Sequence, residues 1–185
     1  RECVRAGACS AQISRLPYCG DRPCSERELK YLCNYHTPGR NRYPKNCVTP
    51  RQASDYCTWR GRRLPTEVEW QWAARGRDEG RSYPWGDVAP TCDVVVKHDE
   101  RGPGCGRGMT APVGSVPLGA SRDGVLDLVG NVSEFVLDDE HVRLVGGSAL
   151  DAYADEFRVS QPHNSTELPS EDLRGPSFGF RCVEV

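Results

Sequence analysis

The sequence has one methionine and no apolar run near the ~18 residues a membrane-crossing helix needs, so no such span is expected. It lacks an excess of either charge. Twenty-four Lys and Arg face 26 Asp and Glu, for a formal net charge of -2, and the basic surplus of a nucleic-acid binder is missing. There is no Cys-x-x-Cys pair of the kind that holds zinc or builds a thioredoxin-like centre. There is no G-x-S-x-G, P-loop or H-E-x-x-H motif. His36, His98, His141 and His163 are scattered, without the short H-x-x-x-H or H-x-D spacing of a non-haem iron triad, and read as surface residues. Internal repeats, low-complexity tracts and an N-terminal leader are also missing. The chain begins at Arg1 and reads as mature or trimmed.

What is present in quantity is cysteine. Ten occur, at 3, 9, 19, 24, 33, 47, 57, 92, 105 and 182. An even number without metal-ligand spacing predicts disulfides and an oxidising location: secreted, periplasmic or on the cell surface. Cys3 with Cys9, Cys19 with Cys24 and Cys33 with Cys47 are close enough for local bridges, although sequence leaves connectivity open. Nineteen glycines and 14 prolines predict many turns. With 185 residues, 37% hydrophobic and 27% charged, the chain is expected to fold as one domain over 1–185.

Two helices carry start signals. Thr49, Pro50 and Gln52 form a capping box with proline at the first helical position, predicting a helix to about Arg60 and a stop at Gly61. Its face includes Ala53, Tyr56 and Cys57. Thr66 and Glu69 form a second box, opening a helix through Val68, Trp72 and Ala73, with acidic residues suited to the helix dipole. Beyond residue 76, short apolar runs at Val94–Val96, Val113–Val116, Val142–Val145 and Phe178–Val183 read as strands.

Six blocks in order carry a resemblance. They are Gly61-Arg62-Arg63-Leu64-Pro65-Thr66-Glu67-Val68-Glu69-Trp70 with Ala73-Ala74-Arg75-Gly76; Tyr83-Pro84-Trp85-Gly86-Asp87; Ala111-Pro112-Val113-Gly114; Gly124 through Glu134; Gly146-Gly147-Ser148; and Gly179-Phe180-Arg181-Cys182. Together they resemble the formylglycine-generating-enzyme, or sulfatase-modifying-factor, family. The resemblance implies an α+β, C-type-lectin-like fold with short strands, few helices and much disulfide-rich loop. It also implies a Cys57–Cys182 bridge. The N-terminal strands and G-x-F-x-M-G segment usual in the family are not found in this sequence; three readings stay open, that the chain is a fragment or part of a fused protein, that a separate polypeptide supplies the strands, or that they are dispensable.

The family's oxidase holds copper and the substrate thiol with two cysteines just after Gly-Gly-Ser. Here Ala149-Leu150-Asp151-Ala152-Tyr153-Ala154-Asp155-Glu156-Phe157-Arg158 follows, without cysteine. Soft Cu(I) wants thiolate ligands. No copper and no formylglycine-generating activity are therefore expected. The expected function is a noncatalytic module that binds a protein, peptide or glycan through the 149–176 region. Ser148, Asp151, Tyr153, Asp155, Glu156 and Arg158 are the candidate contacts. In retroelement variable proteins, which share the fold, this region is the diversified surface. Two alternatives stay open: an oxidase-like enzyme with an altered site, and a structural or sensory ectodomain of a larger bacterial protein.

The resemblance also implies structural calcium. The family's loop uses side chains at its ends and carbonyls between, here Asp127 and Glu134 with Gly130 and Val132. Two carboxylates and hard oxygens suit the ion. A second site would involve Asp93, completed by residues near 103–109, with Cys92 and Cys105 bridging that loop. Asn131-Val132-Ser133 and Asn164-Ser165-Thr166 are glycosylation sequons of little weight.

Overall fold

A computed structural model describes residues 2–10, 17–19, 22–35, 37–139, 141–159, 166–168 and 172–185. The sequon at Asn164 and part of the 149–176 surface lie outside these residues. The regular α-helices among the described residues are α1 (Glu2–Arg5), α2 (Glu26–Leu32), α3 (Pro50–Trp59) and α4 (Glu67–Ala74), while Pro103–Gly106 forms a kinked turn with left-handed residues inside it. The strands among them are short: β1 (Tyr18–Cys19), β2 (Arg22–Pro23), β3 (Arg62–Arg63), β4 (Ser133–Asp138), β5 (His141–Val145), β6 (Thr166–Glu167), β7 (Phe178–Gly179) and β8 (Val183–Glu184). None of the described helices is long and apolar enough to cross a membrane.

Both predicted capping boxes form. The Thr49 and Thr66 side chains accept from the backbone of Gln52 and Glu69, which reach back to the cap N–H groups. A third box, Ser25 with Glu28, starts α2. The Glu69 carboxylate also takes two hydrogen bonds of 2.6 Å from Arg63, joining the start of α4 to β3.

The main sheet has the order β6-β5-β4-β7. β4 and β5 form an antiparallel hairpin, and β7 joins β4 in parallel. Neighbouring residues of a strand point to opposite faces. Phe135 and Leu144 accordingly pack with Ala53, Cys57 and Leu64 on the α3 side. Val136 and Val145 pack with Trp70 and Ala74 of α4, together with Tyr83, Leu128 and Phe157. The hairpin thus lies between the two helices that the sequence signals most clearly. β3 pairs with β8, bringing the C-terminal strand beside the end of α3.

Two expected strands do not form. Val94–Val96 follows a turn, and its buried Val96 carbonyl accepts from Asn131 N. Val113–Val116 is a turn whose Val113 N–H bonds Arg42 O. Their apolar side chains are buried by loop packing, or left half-exposed, without a ladder partner. Phe178–Val183 contains two short strands, β7 and the start of β8, on different sheets. Val142–Val145 lies within β5.

All ten cysteines are paired: Cys3–Cys9, Cys19–Cys24, Cys33–Cys47, Cys57–Cys182 and Cys92–Cys105.

Candidate functional site

The 127–134 segment leads into β4 through three residues with left-handed backbone: Asp127 (φ 53°), Gly130 (φ 72°) and Asn131 (φ 63°). Asp and Asn tolerate this region better than other side-chain-bearing residues. Gly130 has no alternative, since a Cβ there would run into Val95 and the Val96 carbonyl. Asn131 is 1% exposed. Its Oδ1 accepts from Ala111 N (2.9 Å) and its Nδ2 donates to Ala111 O (3.2 Å). Its own N–H bonds Val96 O, and its carbonyl accepts from Ala149 N. Side chain and backbone of this one residue thereby join three loops. The side chain is buried, so the first sequon is not open to a glycan in the folded chain.

The two carboxylates of this loop differ. Asp127 Oδ2 accepts from Gly114 N at 2.6 Å. Glu134, 4% exposed, receives Arg181 through both oxygens: Nε to Oε2 at 2.6 Å and Nη2 to Oε1 at 2.8 Å. Trp70 Nε1 donates to Oε2 at 2.8 Å. Arg181 Nη2 also reaches the carbonyls of Leu126 and Asp127 at 3.0 Å. Burial alone would lower the Arg181 guanidinium pKa; the Glu134 charge and hydrogen bonds outweigh it and raise it. Arg181 and Trp70 lie in motif blocks of the sequence, but their meeting at Glu134 spans separations of 47 and 64 residues that no local spacing reveals.

The donor atoms available to calcium follow from this arrangement. A carboxylate has about four lone-pair sites. Three of those on Glu134 are used, leaving one at Oε1. Asp127 Oδ1 is a further donor. Among the described residues, no hydrogen bond reaches the carbonyls of the buried residues Gly130 and Val132. Buried carbonyls are normally paired, and an unpaired couple suits an ion or water. The donor set therefore fits calcium, at a charge disadvantage imposed by Arg181. Asp93 is elsewhere, exposed in the turn before Val94. Among the described residues one trio of potential metal ligands lies together, Cys92, Asp99 and Cys105. Both sulfurs there are in the disulfide, and Asp99 is bound by Arg101 at 2.6 Å.

The second loop follows β5. Gly146 (φ 89°) and Gly147 (φ 62°) pass too close to Trp70, the Leu128 carbonyl and Phe157 to carry a Cβ. Gly146 O accepts from Gly130 N at 2.8 Å, so the two candidate loops are adjacent. Carboxylates shape the next turn. Asp151 Oδ2 accepts from Ser148 N (2.6 Å) and Ser148 Oγ (3.0 Å). Glu156 Oε2 accepts from the N–H groups of Ala152 and Tyr153. Burial pushes the Asp151 carboxyl pKa up, against the opposing pull of the Ser148 hydrogen bonds. Asp155 accepts from Arg158 Nε at 2.8 Å, and the Arg158 guanidinium lies 5.5 Å from the centre of the Tyr83 ring. Phe157 anchors the turn in the core, and Tyr153 stands 76% exposed at its tip. Of the six expected contact residues, Asp151 and Glu156 thus close backbone turns, while Tyr153 is presented to solvent.

The chain matches the family described as the sulfatase-modifying factor enzyme 1-like domain over residues 18–185. It is 32% identical over 151 residues to an inactive C-alpha-formylglycine-generating enzyme 2 of Bos taurus, covering 76% of this chain and 50% of that protein. It is 38% identical over 175 residues to the formylglycine-generating enzyme of Mycobacterium tuberculosis, covering 76% of this chain and 57% of that protein. The fold is similar to that of PvdO from Pseudomonas aeruginosa, with TM-score 0.61 at 22% identity over 75% of this chain and 60% of that one. The chain spans about half the length of these curated relatives. The match to the family model over residues 18–185 and the identity of 32% to a relative across 76% of this chain show that it belongs to the sulfatase-modifying-factor, formylglycine-generating-enzyme-like family.

Proposed function

We propose that this chain is a noncatalytic, calcium-stabilised, extracytoplasmic ligand-binding member of its family. The observation that carries this reading is the fate of the cysteines: all ten are spent in five disulfides. The turn after Ser148 is closed by Asp151 and Glu156 instead. Copper chemistry of the family's kind requires thiolate. The similarity to proteins named inactive formylglycine-generating enzyme 2 supports the same reading. Similarity to proteins named formylglycine-generating enzyme keeps the catalytic alternative worth an assay.

Calcium would be held by Asp127, Glu134 and the carbonyls of Gly130 and Val132, fixing the loop that precedes β4. The ligand, a protein, peptide or glycan, would meet the turn around Tyr153, displayed on a rigid scaffold.

Two measurements test the proposal. The purified chain with Cu(I) and a cysteine-containing substrate peptide of the oxidase type is expected to yield no peptide aldehyde; aldehyde formation overturns the noncatalytic reading. Calorimetry of calcium into chelator-stripped protein is expected to give binding that Asp127→Asn abolishes. Asparagine keeps the left-handed backbone tolerable while removing the charge. Absence of calcium heat removes the metal from the proposal.

A further inference from the structure

A second candidate binding surface lies in the loop closed by Cys33–Cys47, whose cleft has none of the residues of the turn proposed above in its lining. The enclosed sequence, residues 34–46, contains His36, Arg40, Arg42 and Lys45 and no acidic residue, in a chain whose acids outnumber its bases. The loop surrounds a cleft of about 420 Å³ lined by residues of the 34–45 stretch. That volume is in the range of small-molecule sites.

The cleft is built on buried amides. Asn46, 1% exposed, accepts from Asn34 N (2.8 Å) and donates to the carbonyls of Leu32 and Pro176 (both 2.7 Å). Asn34, 5% exposed, donates to Pro44 O (2.8 Å) and Thr110 Oγ1 (3.1 Å). Arg40 Nη1 donates to Tyr31 O (2.7 Å) and Asn34 Oδ1 (3.0 Å), and its guanidinium lies 5.2 Å from the Tyr43 ring centre. Lys45 Nζ lies 3.6 Å from the Tyr35 ring centre. Arg40 forms no ion pair among the described residues; its partners are neutral oxygens and an aromatic ring. Such contacts fix a cation in place without cancelling its charge.

The lining decides the class of ligand. It has two tyrosines, amides, a threonine, prolines and two cations, with no Leu, Ile, Val, Met or Phe. An apolar peptide side chain finds no aliphatic pocket there. The Asn34 amide is taken up inside the protein, so sugar hydroxyls would meet the exposed Asn41 amide and the tyrosine hydroxyls of the lining, and an anionic substituent would meet Arg40 and Lys45. We propose that this cleft binds an anionic sugar, one bearing a carboxylate or a sulfate.

The full chain is titrated calorimetrically with trigalacturonate, with a sulfated chondroitin disaccharide and with neutral galactose oligomers. Binding of at least one acidic sugar and of no neutral one is expected. Arg40→Gln and, separately, Lys45→Gln are expected to weaken it roughly tenfold or more, the weight of a charge-assisted hydrogen bond. Circular dichroism establishes that both variants fold, and Lys45→Gln decides if Arg40→Gln does not. Tyr153→Ala leaves this binding unchanged, which separates it from the function proposed above. The proposal is overturned by no acidic-sugar binding, by binding that survives both variants, or by equal affinity for polyglutamate, which marks a general electrostatic patch.

Discussion

At the scale of single residues, the Glu134–Arg181 pair ties the central loop to the segment after β7. Removing one member leaves the other desolvated and unpaired. Glu134→Ala is expected to cost about 3 kcal/mol in urea unfolding, near the low end for buried pairs because Arg181 keeps some solvent contact. A double change of Glu134→Leu with Arg181→Met is expected to cost less than the single one, and a larger loss in the double would falsify this account. For the same reason, Asp127→Asn is the cleaner probe of calcium, since Glu134→Ala unbalances Arg181 whether or not metal binds. The grouping of Asp127, Gly130, Val132 and Glu134 comes from the family resemblance, which places all four in one short motif block. The guanidinium that shares Glu134 is not legible in the sequence, because only the folded sheet brings β4 beside the segment after β7.

At the scale of elements, capping chemistry explains why two helices could be read nearly to the residue. Thr66→Ala removes the acceptor for Glu69 N and is expected to destabilise the protein by about 1 kcal/mol, checked by thermal or urea unfolding. The same cap is acid-sensitive. The Arg63 hydrogen bonds, with the Thr66 N–H, hold the Glu69 carboxyl pKa at about 2, below its ordinary 4.5. A carboxyl depressed on folding contributes stability present above pH 4.5 and lost as pH falls through about 2. Both partners are partly exposed, so the effect is modest. Amide-exchange protection at the start of α4, normalised for intrinsic rates, is expected to fall across that window and to stay flat in Glu69→Gln. The Ser25–Glu28 box of α2 has the same spacing, but it opens a helix of seven residues with none of them buried, so no apolar face follows the cap to mark it. Val94–Val96 fails as a strand for the converse reason: an apolar run can be buried by loops, and alternation alone does not supply a ladder partner.

For the whole molecule, the dominant constraint is Cys57–Cys182, which ties α3 to the segment before β8 and spans 125 residues. Chain entropy predicts that the Cys57→Ala, Cys182→Ala pair loses about 4–5 kcal/mol, measured by urea unfolding under non-reducing conditions, with native-state strain able to lower the figure. This pairing followed from the family resemblance; the intervening loops, by contrast, have too little periodicity for their paths to be read. The bridge also has a mechanical consequence. A pull applied at Val185 crosses to α3 after only Val183–Val185, and tension then runs toward the N-terminus through Cys57. The span from Thr58 to Arg181, with both candidate loops of the 127–158 region, is bypassed by the load. Force spectroscopy on the oxidised chain should therefore leave that length hidden, and reduction should release roughly 400 Å of contour from this span, besides the shorter lengths closed by the three N-terminal bridges. Under such a load both candidate loops would stay slack for as long as the Cys57–Cys182 bridge is intact.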